Sequence, residues 1–429
     1  MTESPGGSHV GGRHSSSNTS TRDDARLRET IQLAMLPGLG PRTLTGLLNQ
    51  FGSAGAVLQA GAEALHRVPG IGPRLAHTIR TAGDHLDVNA LLNWCKENGT
   101  SIVPIRDPRY PKLLAKLVDA PPLLFVRGDL LESDALSVAI VGTRHASPYG
   151  LRQAERIAFG LAQAGVTVVS GLARGIDTAA HRGALDAAAL RSATVQGVDV
   201  QAGSIRGNSQ ETNSHETGTQ VGSQHHRGGR TIAVLGSGLG EIYPPENSSL
   251  AAQCSQHGAV LSEHSPHTKP RSGLFPQRNR LIAGITLATL VIEAPQRSGS
   301  LITARLAQEQ NRDVLALPGQ VNSRTSSGCH DLIRDGATLI RSADDVLEAI
   351  GPMATPVNID DGQQIRHPAE LQLNEIEQTV LQAIHSDSTL IDQVIVASGL
   401  PTHRVISTIS VLEMKRLVRR LSGQYVSRI

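Results

Sequence analysis

Aromatic side chains are nearly absent from this chain: Phe, Trp and Tyr make up 2% of its 429 residues. Binding built on ranks of stacked aromatic platforms, each worth about 1–3 kcal/mol per base, is therefore excluded as the main source of affinity for any nucleic acid. Cysteine is scarce as well. Cys95, Cys254 and Cys329 are scattered, odd in number and without a CxxC, which excludes a disulfide framework and a zinc site and fits a reducing compartment. Charge of one sign is missing: 40 Lys and Arg stand against 38 Asp and Glu, for a formal net charge of +2. Any basic surface must be local. Long apolar runs are missing too. The longest, Leu281 to Ile292 between Arg280 and Glu293, falls short of the roughly 20 residues that span a bilayer. No charged segment followed by an apolar one opens the chain, so no signal peptide is expected. The expectation is a cytoplasmic protein with no membrane partner.

What is present is a hydrophobic content of 39% and a charged content of 18%, enough for one large core and one or two small domains. Residues 1–26 are Ser, Gly, Thr and His with almost no apolar content, and read as a disordered tail. A second polar tract, residues 191–230, reads as a flexible insertion in a surface loop, since long loops add little closure entropy. Its His215, His225 and His226 lack the spacing of a metal site and read as solvated loop. Residues 351–368 gather Pro and Gly without periodicity and read as a linker. Three blocks remain, 27–98, 99–350 and 369–429.

The first block repeats itself. LPGLGPRTL begins at Leu36 and VPGIGPRLA at Val68, which sets Pro37 and Pro69 32 positions apart. Each places a Gly-x-Gly turn between helical patterns, where exposed N–H groups can hold a phosphate without reading bases. The pair resembles the helix-hairpin-helix modules of DNA repair and recombination proteins; a turn used only for packing, or a protein-docking unit, is the plainer alternative. The last block has three helical patterns followed by LVRRLSGQYVSRI, the outline of a winged-helix-like domain with its wing at Ser422-Gly423. Lys415, Arg416, Arg419 and Arg420 at its base suit DNA or a solvated helix end equally.

The middle block alternates short apolar runs with helical segments. Strands are expected at Ser137–Val141, Val166–Ser170, Thr231–Leu235, Ala259–Ser262, Ala288–Ile292, Val314–Leu317 and Thr338–Ile340. Runs that are continuously apolar rather than alternating imply burial on both faces. The fold class is therefore α/β, a Rossmann-like, doubly wound, mostly parallel sheet whose ligand sits at the carboxyl ends of its strands.

Four segments of this block point to an anion. In SVAIVGTRHASPYG, the turn Gly142-Thr143-Arg144 follows a strand, yet G-x-G-x-x-G is absent and no acid ends the next strand to hold a ribose. Neither is there a G-x-x-x-x-G-K-[ST] loop, which removes the ATPase class. The second segment is the turn Ser170-Gly171-Leu172-Ala173-Arg174-Gly175, expected like the first to offer free N–H groups, a hydroxyl and a guanidinium. The third is KPRSGLFPQRNRLIAG, in which Lys269, Arg271, Arg278 and Arg280 occur with no acid among them. In the fourth, Ser298-Gly299-Ser300 caps a helix and offers another anion pocket. A row of such pockets suits a polyanion better than a single phosphate.

Together VAIVGTRHASPYG, SGLARGIDTAAHRGAL, VLGSGLGEIYPPEN, FPQRNRLIAG, EAPQRSGSLITARLAQEQNRDVLALPG and GCHDLIRDGATLI resemble the DNA-processing protein A family (DprA, also called Smf), continuously from Leu27 to Ile350. The resemblance implies a protein that binds incoming single-stranded DNA in natural transformation, shields it and loads the RecA recombinase on it. It also implies a homodimer formed through the Rossmann-like domain. By motif, Arg144 is implied to hold a backbone phosphate, with Gly142 and Thr143 shaping the turn. Lys269, Arg278, Asn279 and Arg280 are implied to line the same groove, and Ser170, Gly171 and Arg174 its neighbouring wall. The 40-residue tract from Arg191 departs from the family pattern. No cofactor, metal or catalytic group is implied. Phe275 and Tyr149 are the aromatics expected near the site.

Two other functions compete. Nucleoside-monophosphate phosphoribohydrolases of the LOG type have a related fold, but their P-G-G-x-G-T-x-x-E loop supplies a Glu at the glycosidic bond, and RSGSLITA here carries no acid. The other is a recombinase adaptor that does not touch DNA. Asp177 and His181, i and i+4 on a helix, are close enough for a hydrogen bond and read as a structural pair.

Overall fold

The computed structural model describes residues 16–195, 229–351, 357–358, 364–365, 373–385, 389–415, 417–421 and 424–428. Most of the tail, residues 196–228 of the polar tract with its histidines, the wing tip at Ser422-Gly423 and Arg416 lie outside these residues.

Helices come first: α1 (Ser16–Ala34), α2 (Pro41–Phe51), α3 (Ala54–Leu58), α4 (Ala62–His66), α5 (Pro73–Arg80) and α6 (Val88–Glu97). α1 begins ten residues earlier than the tail boundary at residue 26 would place it; Asp24 and Arg28, one turn apart, form an ion pair on it at 3.0 Å. The repeated motif folds as expected. In each copy a glycine at positive φ makes the turn (Gly38, 81°; Gly70, 88°) and a proline occupies the first helical turn of α2 or α5. Leu36, Leu44, Leu47, Val68, Ile71 and Ile79 bury the two hairpins against each other.

The central block is one sheet of β1 (Thr100–Pro104), β2 (Leu123–Gly128), β3 (Ser137–Val141), β4 (Thr167–Ser170), β5 (Thr231–Val234), β6 (Gly258–Ser262), β7 (Ala288–Val291), β8 (Asp313–Ala316) and β9 (Thr338–Leu339). The strand order is β1-β2-β6-β5-β4-β3-β7-β8-β9, parallel from β6 to β9, with β1 and β2 antiparallel at one edge. Alternate residues feed two different cores. Val138, Ile140, Leu290 and Leu315 face α8 (Pro148–Gln163), α9 (Ile176–Val195) and α14 (Ala343–Ile350). Ala139, Val141, Val291 and Ala316 face α11 (Leu274–Ile285), α12 (Gly299–Glu309), α13 (Ser327–Arg334) and the short α7 (Lys112–Ala115). Burial on both sides is what the unbroken apolar runs required. A small helix, α10 (Ser248–Gln256), joins a third cluster with Ile31 and Leu91, which docks the N-terminal helices on the sheet.

The chain winds outward from β3 to β6 and then returns to lay β7 on the other side of β3. The connections leaving β3 and β7 diverge, so a crevice opens at the carboxyl ends of these two strands.

After a two-residue ladder of β10 (Val357–Asn358) and β11 (Gln364–Ile365) comes a winged helix with its own core: α15 (Glu375–Gln382), β12 (Thr389–Leu390), α16 (Ile391–Ser398), α17 (Thr402–Met414), β13 (Val418–Arg420) and β14 (Tyr425–Arg428). Lys415 is spent on Glu377 (2.9 and 3.0 Å) and Arg420 on Glu413 (3.3 Å), which leaves Arg419 exposed. No single helix among the described residues is long and apolar enough to cross a membrane.

Candidate nucleic-acid interface

The crevice at the ends of β3 and β7 is a groove of about 690 Å³. Two loops stitch its floor. The Thr143 amide donates to the Glu293 carbonyl at 2.7 Å, and the buried Glu293 carboxylate accepts from the Ser147 amide (2.8 Å) and hydroxyl (2.5 Å). Ser147 is also the N-cap of α8. This carboxylate is turned into the protein and consumed there; it is not a group aimed at a ligand.

Gly142, Thr143, Arg144, Arg278, Asn279, Ser298, Gly299 and Ser300 all line the groove. Arg144 is exposed and lies over the Phe275 ring, 5.4 Å from its centroid. Phe275 in turn meets Tyr243 at 5.5 Å between centroids, so a small aromatic wall backs the guanidinium. Ser298 caps α12, accepting from the Ser300 amide at 3.3 Å, and Asn279 donates to the Gly299 carbonyl at 3.5 Å. Exposed Arg297 and half-exposed Ile302 complete the rim.

Arg278 is buried. It donates to the carbonyls of Gly171 and Val234, and its charge faces Asp177. Burial pushes it down to about 10, with Asp177 acting in the opposite direction. Asp177 is likewise buried; burial raises its carboxyl and Arg278 pulls it back. A Cβ on Gly171 would overlap the guanidinium of Arg278, which is why glycine stands there. Gly175, at φ 75°, lets the same turn pass against the carbonyls of Thr143 and Arg144.

Several expected contacts are not brought together. Arg280 does not line the groove. It sits two positions beyond Arg278 on α11, about 200° around the helix, and binds Glu263 and the Asp119 carbonyl (2.9 Å) on the opposite side. Ser170 is buried and its hydroxyl is committed to the Ile140 carbonyl at 2.6 Å. The turn that follows has no free amides at Gly171 and Ala173, because Asp177 accepts from both (3.1 and 3.3 Å). Thr143 lines the groove as expected, and its hydroxyl accepts from the His145 amide at 3.2 Å, which shapes the turn. Gly171 and Arg174 do form the neighbouring wall: they line a small annex that shares Arg144, Phe275 and Arg278 with the groove, where Arg174 pairs with Glu246 at 2.5 Å. Lys269 is exposed just ahead of Pro270 and outside the lining. Tyr149 bonds the Pro318 carbonyl at 3.3 Å and is not at the groove. Asp177 and His181 do not bond each other: His181 Nδ1 lies 2.7 Å from the Thr231 hydroxyl instead.

Among the lining residues that the sequence did not single out are Arg297 and Tyr243. Arg297 directly precedes the serine cap of α12, a position from which it must overhang the helix start. Tyr243 stands in the YPPEN string, whose meaning depends on a contact with Phe275, 32 residues away, that sequence spacing does not reveal.

Comparison with known proteins identifies the family. The sequence profile of the DNA recombination-mediator protein A family matches residues 101–216 and 221–351. The chain belongs to that family. Its flanks match too: the DprA winged helix domain at residues 364–424 and the SAM-like helix-hairpin-helix tandem at 31–82. Protein Smf of Synechocystis is 31% identical over 428 residues, 92% of this chain and 97% of the relative. The crystal structure of DNA processing protein A from Streptococcus pneumoniae superposes with a TM-score of 0.55 at 31% identity, covering 75% of this chain and 95% of that one. DNA processing protein A from Helicobacter pylori, for which a single-stranded DNA binding mode is described, is 27% identical, covers 58% of this chain and 95% of its own, and gives a TM-score of 0.45.

Proposed function

We propose that this member of the DNA recombination-mediator protein A family holds single-stranded DNA by its sugar–phosphate backbone in the groove at the ends of β3 and β7, shields it there, and passes it to the RecA recombinase during transformation or recombination. No reaction is performed on the strand, and no cofactor or metal takes part. The observation that carries this reading is the concentration of cations at one sheet rim: Arg144 and Arg297 exposed, Arg278 beneath them, and Asp177, already committed to the amides of its own turn and to Arg278, as the one acid of the lining. Arg144 takes a phosphate while Phe275 and Tyr243 receive a base or sugar, and the α12 start at Ser298-Gly299-Ser300 takes the next phosphate. Two protomers in a homodimer would present two such grooves to one strand and gain by avidity.

The test is equilibrium binding of single- and double-stranded oligonucleotides to the wild type and to Arg144→Ala. One charge-assisted contact contributes about 1.5–3 kcal/mol, so single-strand affinity should fall roughly tenfold to a hundredfold. Unchanged affinity would leave the adaptor reading standing. Release of ribose 5-phosphate from AMP by the purified protein would instead favour a hydrolase.

A further inference from the structure

α11 divides two cavities. Phe275, Arg278, Asn279 and Ile282 face the groove, whereas Gln277 and Arg280 face a second cleft of about 520 Å³ closed on its far side by Arg42 and Thr43 of α2. The second cleft sets polar groups against an apolar wall that includes Met35, Leu39, Pro121 and Pro122. Its carboxylates, Glu263 and Asp119, share the single guanidinium of Arg280, and the exposed Arg42 supplies the second positive charge that balances them. The segment ahead of α11 lines the groove with Pro270 and Ser272 and exposes Lys269 and Arg271. Among the described residues, the side chains of Lys269, Arg271 and Arg42 make no hydrogen bond or ion pair. Free cations thus stand in the groove, on the segment that leaves it, and in the cleft beyond.

We propose that a single strand leaving the groove crosses the amino end of α11 past Lys269 and Arg271 and continues into this cleft, where Arg42 and Thr43 hold its backbone. The N-terminal helical hairpin then lengthens the binding path of the sheet domain. This rests on the single-strand reading above. α11 is about 10–12 Å across with its side chains, which a strand rising at least about 3.4 Å per nucleotide crosses in roughly three nucleotides. A strand of about 3 nucleotides is therefore confined to the groove, and one of about 16 reaches both cavities.

Binding of these two lengths of oligo-dT across a salt series tests the proposal with the full-length wild type, Arg42→Gln/Arg271→Gln and Arg144→Ala. The substituted arginines Arg42 and Arg271 are exposed and unpaired, so the double variant should melt with the wild type. It should bind the short strand like the wild type and the long strand about tenfold more weakly, with the salt slope on the long strand shallower by about 1.4, two contacts at roughly 0.7 each. Arg144→Ala should weaken both lengths. If the double variant keeps the wild-type slope and affinity on the long strand while Arg144→Ala loses binding, the extended path is wrong and the groove stands. If Arg144→Ala binds both lengths normally, the groove reading fails and this proposal with it.

Discussion

Two arginines two positions apart do opposite work. Arg278 supports the groove floor and Arg280 closes a buried network with Glu263 and Asp119 behind it. Removing one partner of a buried pair leaves the other charge uncompensated, a loss of about 3–5 kcal/mol. Arg280→Met should therefore lower the melting temperature markedly while the folded protein keeps its affinity for a strand short enough to stay in the groove; thermal melts and binding to such an oligonucleotide check this. Aromatic scarcity gives Phe275 more weight than one ring usually has. Phe275→Ala should cost about 1–3 kcal/mol of single-strand affinity with little change in salt slope, because stacking releases no counterions. His181 sets a pH dependence. The Thr231 hydroxyl donates to the Val168 carbonyl, so His181 Nδ1–H must be the donor to Thr231, and its Nε2 is left buried without a partner. Burial drives the ring down to about 3. In the unfolded chain it titrates near about 6.5, so the unfolded state takes up the proton first as pH falls. Its contribution is thus complete above about pH 6.5 and lost from there toward pH 3, at up to about 1.4 kcal/mol per pH unit. Asp177, raised by burial, acts in the opposite sense at the acid end. Denaturant titrations between pH 7 and pH 5 should show the wild type losing stability faster than His181→Gln.

At the scale of elements, the turn after β4 shows how backbone and charge are matched. Gly171 makes room for the Arg278 guanidinium, and Asp177 closes the turn's amides while balancing that charge. Gly171→Ala should displace Arg278 and destabilise the fold by about 1–3 kcal/mol, with a parallel loss of strand binding, as measured by denaturant titration and by affinity. Sequence patterns made these elements legible. The β3 to β9 runs were readable because burial on both faces demands unbroken apolar residues, and the doubled PGxGPR turn because only glycine takes its positive φ without strain. The antiparallel β1 and β2 at the sheet edge were not expected. The site was half legible. Loops at Gly142 and Ser298 follow strands that meet at the reversal of strand order, whereas the direction of Arg280, the commitment of the Ser170 hydroxyl and the Tyr243–Phe275 contact depend on helix phase and long-range packing.

The whole molecule is a sheet domain with helical hairpins docked on one flank and a winged helix that has a core of its own. Net charge conceals the basic rim at this scale, because 40 basic and 38 acidic side chains nearly cancel while Arg144, Arg278 and Arg297 gather at one edge of the sheet. The three cysteines are buried, with Cys254 and Cys329 each pushed up to about 12, so thiol chemistry has no part in the account. The central claim is that the arginines overhanging β3 and β7 grip a charged backbone irrespective of its bases. Its most direct measurement is the salt dependence of oligo-dT and oligo-dA binding by the wild type and by Arg144→Ala/Arg297→Ala. Log affinity should fall linearly with log salt for both polymers, and the double variant should lose roughly 1.4 from the slope, about 0.7 for each phosphate contact. A variant slope equal to that of the wild type, or a slope near zero from the start, would contradict it.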